Sequence, residues 1–197
     1  MLVKPSVGII LLLCAMSGCV SSEHGLALPG DEKVAFDPTL LGNWESSVDP
    51  SVGFSGGFLR VERLGDEGKK TYALTWSMDG QAAPGQEPQQ AKGSLVAIGD
   101  SRYFDIVAVA TKDGDRHWFL KVKQQKNDLS IQLMNSNYFP SHPKALAHRF
   151  ENGGRGPIQI SSPVITANTP EICRFLEQNQ NNPELWIEEY TMRFRRR

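Results

Sequence analysis

Gly53-Phe54-Ser55-Gly56-Gly57 matches G-x-S-x-G, the turn that carries the nucleophilic serine of α/β-hydrolases. That chemistry needs a sharp turn from a buried parallel strand into a helix, whose amino terminus then supports the oxyanion. Here the motif runs into Phe58 to Leu64 (FLRVERL), a strand pattern, and no Asp-then-His pair follows in an α/β setting. The segment therefore reads as a glycine-rich hairpin loop, and the chain is not expected to be an enzyme. The four histidines, His24, His117, His142 and His148, form no H-E-x-x-H pattern. His142 and His148 share no face of a helix or strand, so scattered surface histidines are expected and no metal site. Cys173 falls beside the apolar stripe of a late helix, where a small buried residue belongs. Arg174 and the helix start at Pro170 keep a redox role open, because a reactive thiolate needs an electropositive setting. No cofactor is expected.

Binding chemistry is carried by the aromatic residues. Tyr72, Leu74, Trp76 and Met78 share one strand face, and Trp118, Leu120 and Val122 share another. If both rows point into a closed sheet, Tyr72, Leu74, Trp76, Trp118 and Leu120 would line a site for a small apolar ligand. An eight-stranded barrel is just wide enough either to be filled by side chains or to hold one such ligand. Large inward aromatics fill space well, so a solid core is the competing reading. The terminal Arg193, Arg195, Arg196 and Arg197 read as a solvated strand end, or as a contact for anionic lipid.

The elements that position these residues are short strands separated by turns. They run about 42–48, 58–64, 72–78, 94–98, 103–110, 117–123 and 129–134, with an aperiodic Pro/Gln/Gly loop over 81–90. Asp113-Gly114 is a hairpin signal. Such closely spaced strands cannot pair in parallel, since parallel crossovers need a dozen or more residues, so an antiparallel meander is expected. Later, 144–150 reads as a helical turn and 157–165 as one or two strands. Thr169-Pro170-Glu171 reads as a helix start with Thr169 as the cap. The helix is expected over about 169–180, burying Ile172, Phe175 and Leu176, with a final strand over 187–195 that alternates Tyr190, Met192 and Phe194 against Glu189, Thr191, Arg193 and Arg195. The predicted fold is mainly β: a barrel or curved sheet with one carboxy-terminal helix packed on it.

The chain has 197 residues, 40% apolar and 22% charged, with a formal charge of −1, values that suit one globular domain and give no electrostatic case for nucleic-acid binding. The amino terminus stands apart. Lys4 precedes an apolar run from Val7 to Met16, too short for the ~20 residues that span a bilayer but fitting a signal peptide. Met16-Ser17-Gly18-Cys19 resembles the lipobox of bacterial lipoproteins, with Met16 where Leu is usual. The resemblance implies that residues 1–18 are a signal peptide, that Cys19 is lipidated, and that 19–38 form a lipidated amino terminus and tether to a domain over 39–197. Val20 in place of Asp implies outer-membrane sorting, with the face occupied left open. Cleavage removes Lys4 and Cys14, leaving Cys173 as the one thiol not lipidated, so no disulfide forms within the mature chain.

Gly42-Asn43-Trp44 resembles the G-x-W motif of the lipocalins and stands at the start of the first strand, where that motif belongs. The element order, about eight meandering strands, a helix and one more strand, is also similar. The resemblance implies that Trp44 plugs a closed barrel end and that a late arginine, Arg193 or Arg195, packs across its ring. The family's Thr-Asp-Tyr turn has no counterpart. The chain likewise resembles small bacterial lipoproteins with a Trp-led β-domain, a likeness that brings no activity. The expectation is a membrane-anchored, non-catalytic envelope lipoprotein that binds a small apolar ligand. The alternative is a structural or accessory lipoprotein with a filled core that docks on an envelope protein.

Overall fold

A computed structural model describes residues 20–27, 31–46, 57–65, 70–78, 88–111, 114–153, 160–188 and 191–197. The signal segment, Cys19, most of the G-x-S-x-G loop, and Glu189 and Tyr190 lie outside the described residues.

Period-two alternation makes strands wherever it occurs. In chain order the elements are β1 (Ser21–Ser22), β2 (Val34–Ala35), a 3-10 turn (Pro38–Leu40), β3 (Gly42–Ser46), β4 (Gly57–Arg63), β5 (Thr71–Met78), β6 (Gln89–Ile98) and β7 (Ser101–Thr111). There follow β8 (Gly114–Gln125), β9 (Asp128–Gln132), α1 (Tyr138–Ser141), β10 (His148–Gly153), β11 (Ile160–Ile165), α2 (Thr169–Gln178) and β12 (Thr191–Arg196). From β3 to β9 each strand pairs antiparallel with the next, and β12 lies between β9 and β3. The result is a closed antiparallel barrel of eight strands. Closure leaves these strands no free edge, the usual solution for a sheet of this size. The β6–β7 turn is Gly99-Asp100, with Gly99 at φ +56°, a left-handed conformation that glycine adopts without a side-chain clash.

Strands β6, β7 and β8 have 10, 11 and 12 residues and extend past their barrel neighbours. The end of β8 pairs with β9, while His117 in its first half pairs with Ser22 of β1. β1 runs parallel to β11, and β11 pairs with β10, so these three strands form a wing off the barrel wall. The wall therefore has two buried faces. The inner core includes Leu40, Trp44, Tyr72, Leu95, Phe104 and Phe194. The outer core packs Val96, Ile98, Tyr103 and Phe119 with Ile172, Phe175 and Leu176 of α2.

Several expectations are corrected. The eighth barrel strand is β12, which follows the helix, whereas β10 and β11 lie off the barrel. The stretch 144–150 holds the start of β10, and the helical turn comes earlier, as α1. β6 begins at Gln89, inside the stretch read as a loop. The cap of α2 is Asn168, not Thr169: Glu171 N–H donates to the Asn168 side chain at 3.1 Å, and Glu171 returns a bond to the Asn168 N–H at 3.3 Å. Asn168 is extended and so placed to cap, while Thr169 already lies in the helix. Within the stretch read as a tether, Val20 and Leu26 are buried in the outer core.

Candidate functional site: the barrel interior and the docked amino-terminal segment

Inward positions come from alternation, and register lines them up. Trp44, Leu59 and Trp76 form one cross-strand row on β3, β4 and β5, and Val61, Leu74 and Ala91 form the next. Leu95, Phe104 and Leu120 continue the same face on β6, β7 and β8. Leu40, Trp44, Tyr72, Leu95, Phe104 and Leu129 are each under 2% exposed, and these six come from six different elements. Inward side chains of this size are the kind that fill an eight-stranded ring or line a small site within it. Of the residues expected to line a site, Tyr72, Leu74 and Leu120 are packed in this inner core. Trp76 packs against it and is only half-buried. Trp118 is buried opposite Ile106 and falls outside the inner cluster.

The closed end is built around Trp44. Its indole N–H donates to the Leu40 carbonyl at 3.0 Å, which ties the 3-10 turn across the barrel floor. The arginine over its ring is Arg196, with the guanidinium carbon 4.4 Å from the ring centroid. This corrects the expected Arg193 or Arg195: Phe194 is buried inward, so Arg196 shares its face while Arg193 and Arg195 point out. Arg193 instead pairs with Glu188, and Arg195 lies 3.6 Å from Asp128. Arg196 also donates to the Leu41 carbonyl at 3.0 Å and to the Thr39 carbonyl. Gly42 holds φ +134°, which favours glycine, and a Cβ there would lie 3.3 Å from the Arg196 guanidinium. Beside it, Tyr72 stacks on Phe36 and accepts the Asp37 N–H at 2.6 Å. Burial works against the Asp37 carboxylate, but hydrogen bonds from Thr39 and Arg102 hold it below the usual range.

Residues 20–27 form the second feature, and sequence reasoning missed it. Asp105, on the outer face of β7, is buried; one carboxylate oxygen accepts the Leu26 N–H at 2.7 Å and the other lies 2.7 Å from His117 Nδ1. Thr169 donates its hydroxyl to the Gly25 carbonyl at 2.8 Å, and Cys173 donates its thiol to the Leu26 carbonyl at 3.3 Å. Burial pushes the Cys173 thiol up, the opposite of what a reactive thiolate needs. At Gly25 a Cβ would stand 2.7 Å from Asp105 Oδ2 and 2.8 Å from His117 Cε1, so only glycine fits under the pair. On the other side of the segment Glu23 and Glu151 both pair with Arg149, and Arg116 lies 2.8 Å from Glu151. The Arg149 hydrogen bond holds the Glu23 carboxyl below its usual range.

His24 is exposed, His142 stacks on Tyr138 with centroids 4.2 Å apart, and His148 packs between Phe139 and Phe150. Among the described residues no cluster of His, Cys, Asp and Glu is placed to hold a metal ion. Two surface hollows of about 320 and 260 Å³ flank α2, and no inner-core residue lines either. Comparison with known protein families, curated proteins and solved structures finds no match to this chain.

Proposed function

We propose that the chain is a lipid-anchored, non-catalytic protein of the bacterial outer membrane whose barrel is a filled scaffold that docks on an envelope protein assembly. The observation that carries the scaffold reading is the inner core, where Leu40, Trp44, Tyr72, Leu95, Phe104 and Leu129 converge fully buried. A ligand cavity for a lipid-sized molecule runs to about 300 Å³ or more, and opening one here would mean displacing several of these side chains. The anchor is supported by the lipobox resemblance at Met16 to Cys19 and by the apolar run before it.

A second reading draws on Trp76. It ends the row of Trp44 and Leu59 yet is only half-buried, which suits a shallow apolar site beside it. Titration with a fatty-acid fluorophore separates the two. The scaffold reading expects no saturable binding; saturable binding that Trp76→Ala weakens with little loss of stability would replace it with the ligand reading. The anchor is tested by labelling cells with a palmitate analogue: label is expected on the wild type, and label retained by Cys19→Ser would refute acylation at that residue.

A further inference from the structure

The docked segment starts one residue after Cys19. Val20 is 5% exposed and Ser22 is fully buried, and β1 is paired on both sides, to β8 and to β11. Adjacent Cα atoms are only about 3.8 Å apart, so a lipid on Cys19 would be attached within one residue of the buried Val20. Such a lipid must leave the protein beside the wing of β1, β11 and β10. Ser21 pairs with Val164 and Phe150 pairs with Pro163, so Phe150 stands on the edge strand one step beyond the start of β1. Two strand spacings, roughly 10 Å, separate it from Val20.

Phe150 is 44% exposed, and among the described residues the other exposed large apolar side chain is Phe58, at 38%. The two occupy opposite walls. In the eight-stranded ring β4, which carries Phe58, is separated from β8 by three strands in either direction, and the wing grows from β8. A bilayer reached through residue 19 therefore meets Phe150 and not Phe58. Phenylalanine gains from leaving water for the headgroup boundary, where apolar and aromatic side chains anchor surface-bound proteins.

The geometry points to the β10 edge as a membrane-contact surface, with Phe150 inserted in the headgroup region next to the anchor and the domain lying against the bilayer instead of swinging on a tether. This rests on the proposed acylation of Cys19. The test uses the full chain, processed in bacterial cells, purified and reconstituted in vesicles of phosphatidylethanolamine and phosphatidylglycerol. Phe150→Cys, Asn152→Cys and Phe58→Cys are each labelled with an environment-sensitive fluorophore, and the unsubstituted protein measures any labelling of Cys173. Asn152 is exposed on the same strand face as Phe150, so it reports on the edge even if one variant folds poorly. Spin-labelled lipids are expected to quench the labels at 150 and 152 at least twofold more than the label at 58. Equal quenching at all three sites on a protein shown by mass spectrometry to carry acyl chains would overturn the inference and leave the anchor standing. An unacylated amino terminus would overturn the anchor and this inference with it.

Discussion

The Trp44–Arg196 contact separates the two arginine readings of the closed end, and a double-mutant cycle measures it. Arg196→Ala removes a guanidinium 4.4 Å from the ring centroid and two side-chain hydrogen bonds to backbone carbonyls. A cation–π contact of this kind contributes about 0.5–2 kcal/mol and each hydrogen bond about 0.5–1.5 kcal/mol, so the variant should lose about 2–3 kcal/mol. Trp44→Ala empties the centre of the barrel floor and should cost about 3–5 kcal/mol. Because the hydrogen bonds survive loss of the ring, only the stacking is shared, and the coupling should be on the order of 1 kcal/mol. Urea unfolding followed by far-ultraviolet circular dichroism is the suitable assay, since fluorescence would lose one of its own reporters in the Trp44 variant. Arg193→Ala is the control; its side chain is exposed, so a change within about 0.5 kcal/mol is expected. A coupling within about 0.3 kcal/mol of zero, or an Arg193→Ala cost equal to that of Arg196→Ala, would refute the assignment.

The remaining predictions concern the segment, the core and pH. Asp105→Ala strips the Leu26 N–H of a buried acceptor and should cost about 3 kcal/mol; amide exchange at Leu26 that stays as slow as in the wild type would contradict the latch. Gly25→Ala should cost about 1–3 kcal/mol by crowding Asp105 and His117, and an unchanged urea midpoint would count against that close approach. Phe104→Ala should lose about 3–5 kcal/mol and gain saturable binding of a benzene-sized probe that the wild type lacks; binding by both would show the interior already hollow. Burial pushes the Tyr103 hydroxyl from 10.0 to about 12, so folding favours its protonated form. That contribution, about 2–3 kcal/mol, is complete below pH 10 and lost as pH rises toward 12, and an alkaline loss of stability equally large in Tyr103→Phe would remove Tyr103 as its source.

Most of the barrel was legible because alternation is a local signal. Tyr72, Leu74 and Trp76 fall on one face whatever the rest of the chain does, and the structure keeps them there. The G-x-W turn was legible for the same reason, since Gly42, Trp44 and the following strand lie within a few residues. The arginine over Trp44 could also have been found. Met192 and Phe194 were read as one face of the last strand, and Arg196 continues that face, while Arg193 and Arg195 belong to the other. What alternation does not reveal is whether the second face of a strand meets water. Asp105 and His117 sit at positions that a one-sided barrel would expose, and only the outer core built by α2 and residues 20–27 turns them into a buried pair. β1 carries no pattern at all: Ser21-Ser22 is held by partners at Val164, Ile165 and His117, far along the chain.

The same division explains why side-chain bulk and not fold class separates a carrier from a scaffold. An eight-stranded ring fixes the width of the interior, and the inward side chains then decide what fills it. In this chain the inward side chains of β5 grade from full burial at Tyr72 to half burial at Trp76, with Leu74 between them flanked by Val61 and Ala91. The outer face, by contrast, has been used to bind the chain's own amino terminus through Asp105, Thr169 and Cys173. A barrel that spends its outer wall on holding residues 20–27 fixes where Val20 sits against the domain. Under the proposed acylation of Cys19, the wall around Phe58 would be the one facing away from the membrane, and the proposed envelope partner would dock there.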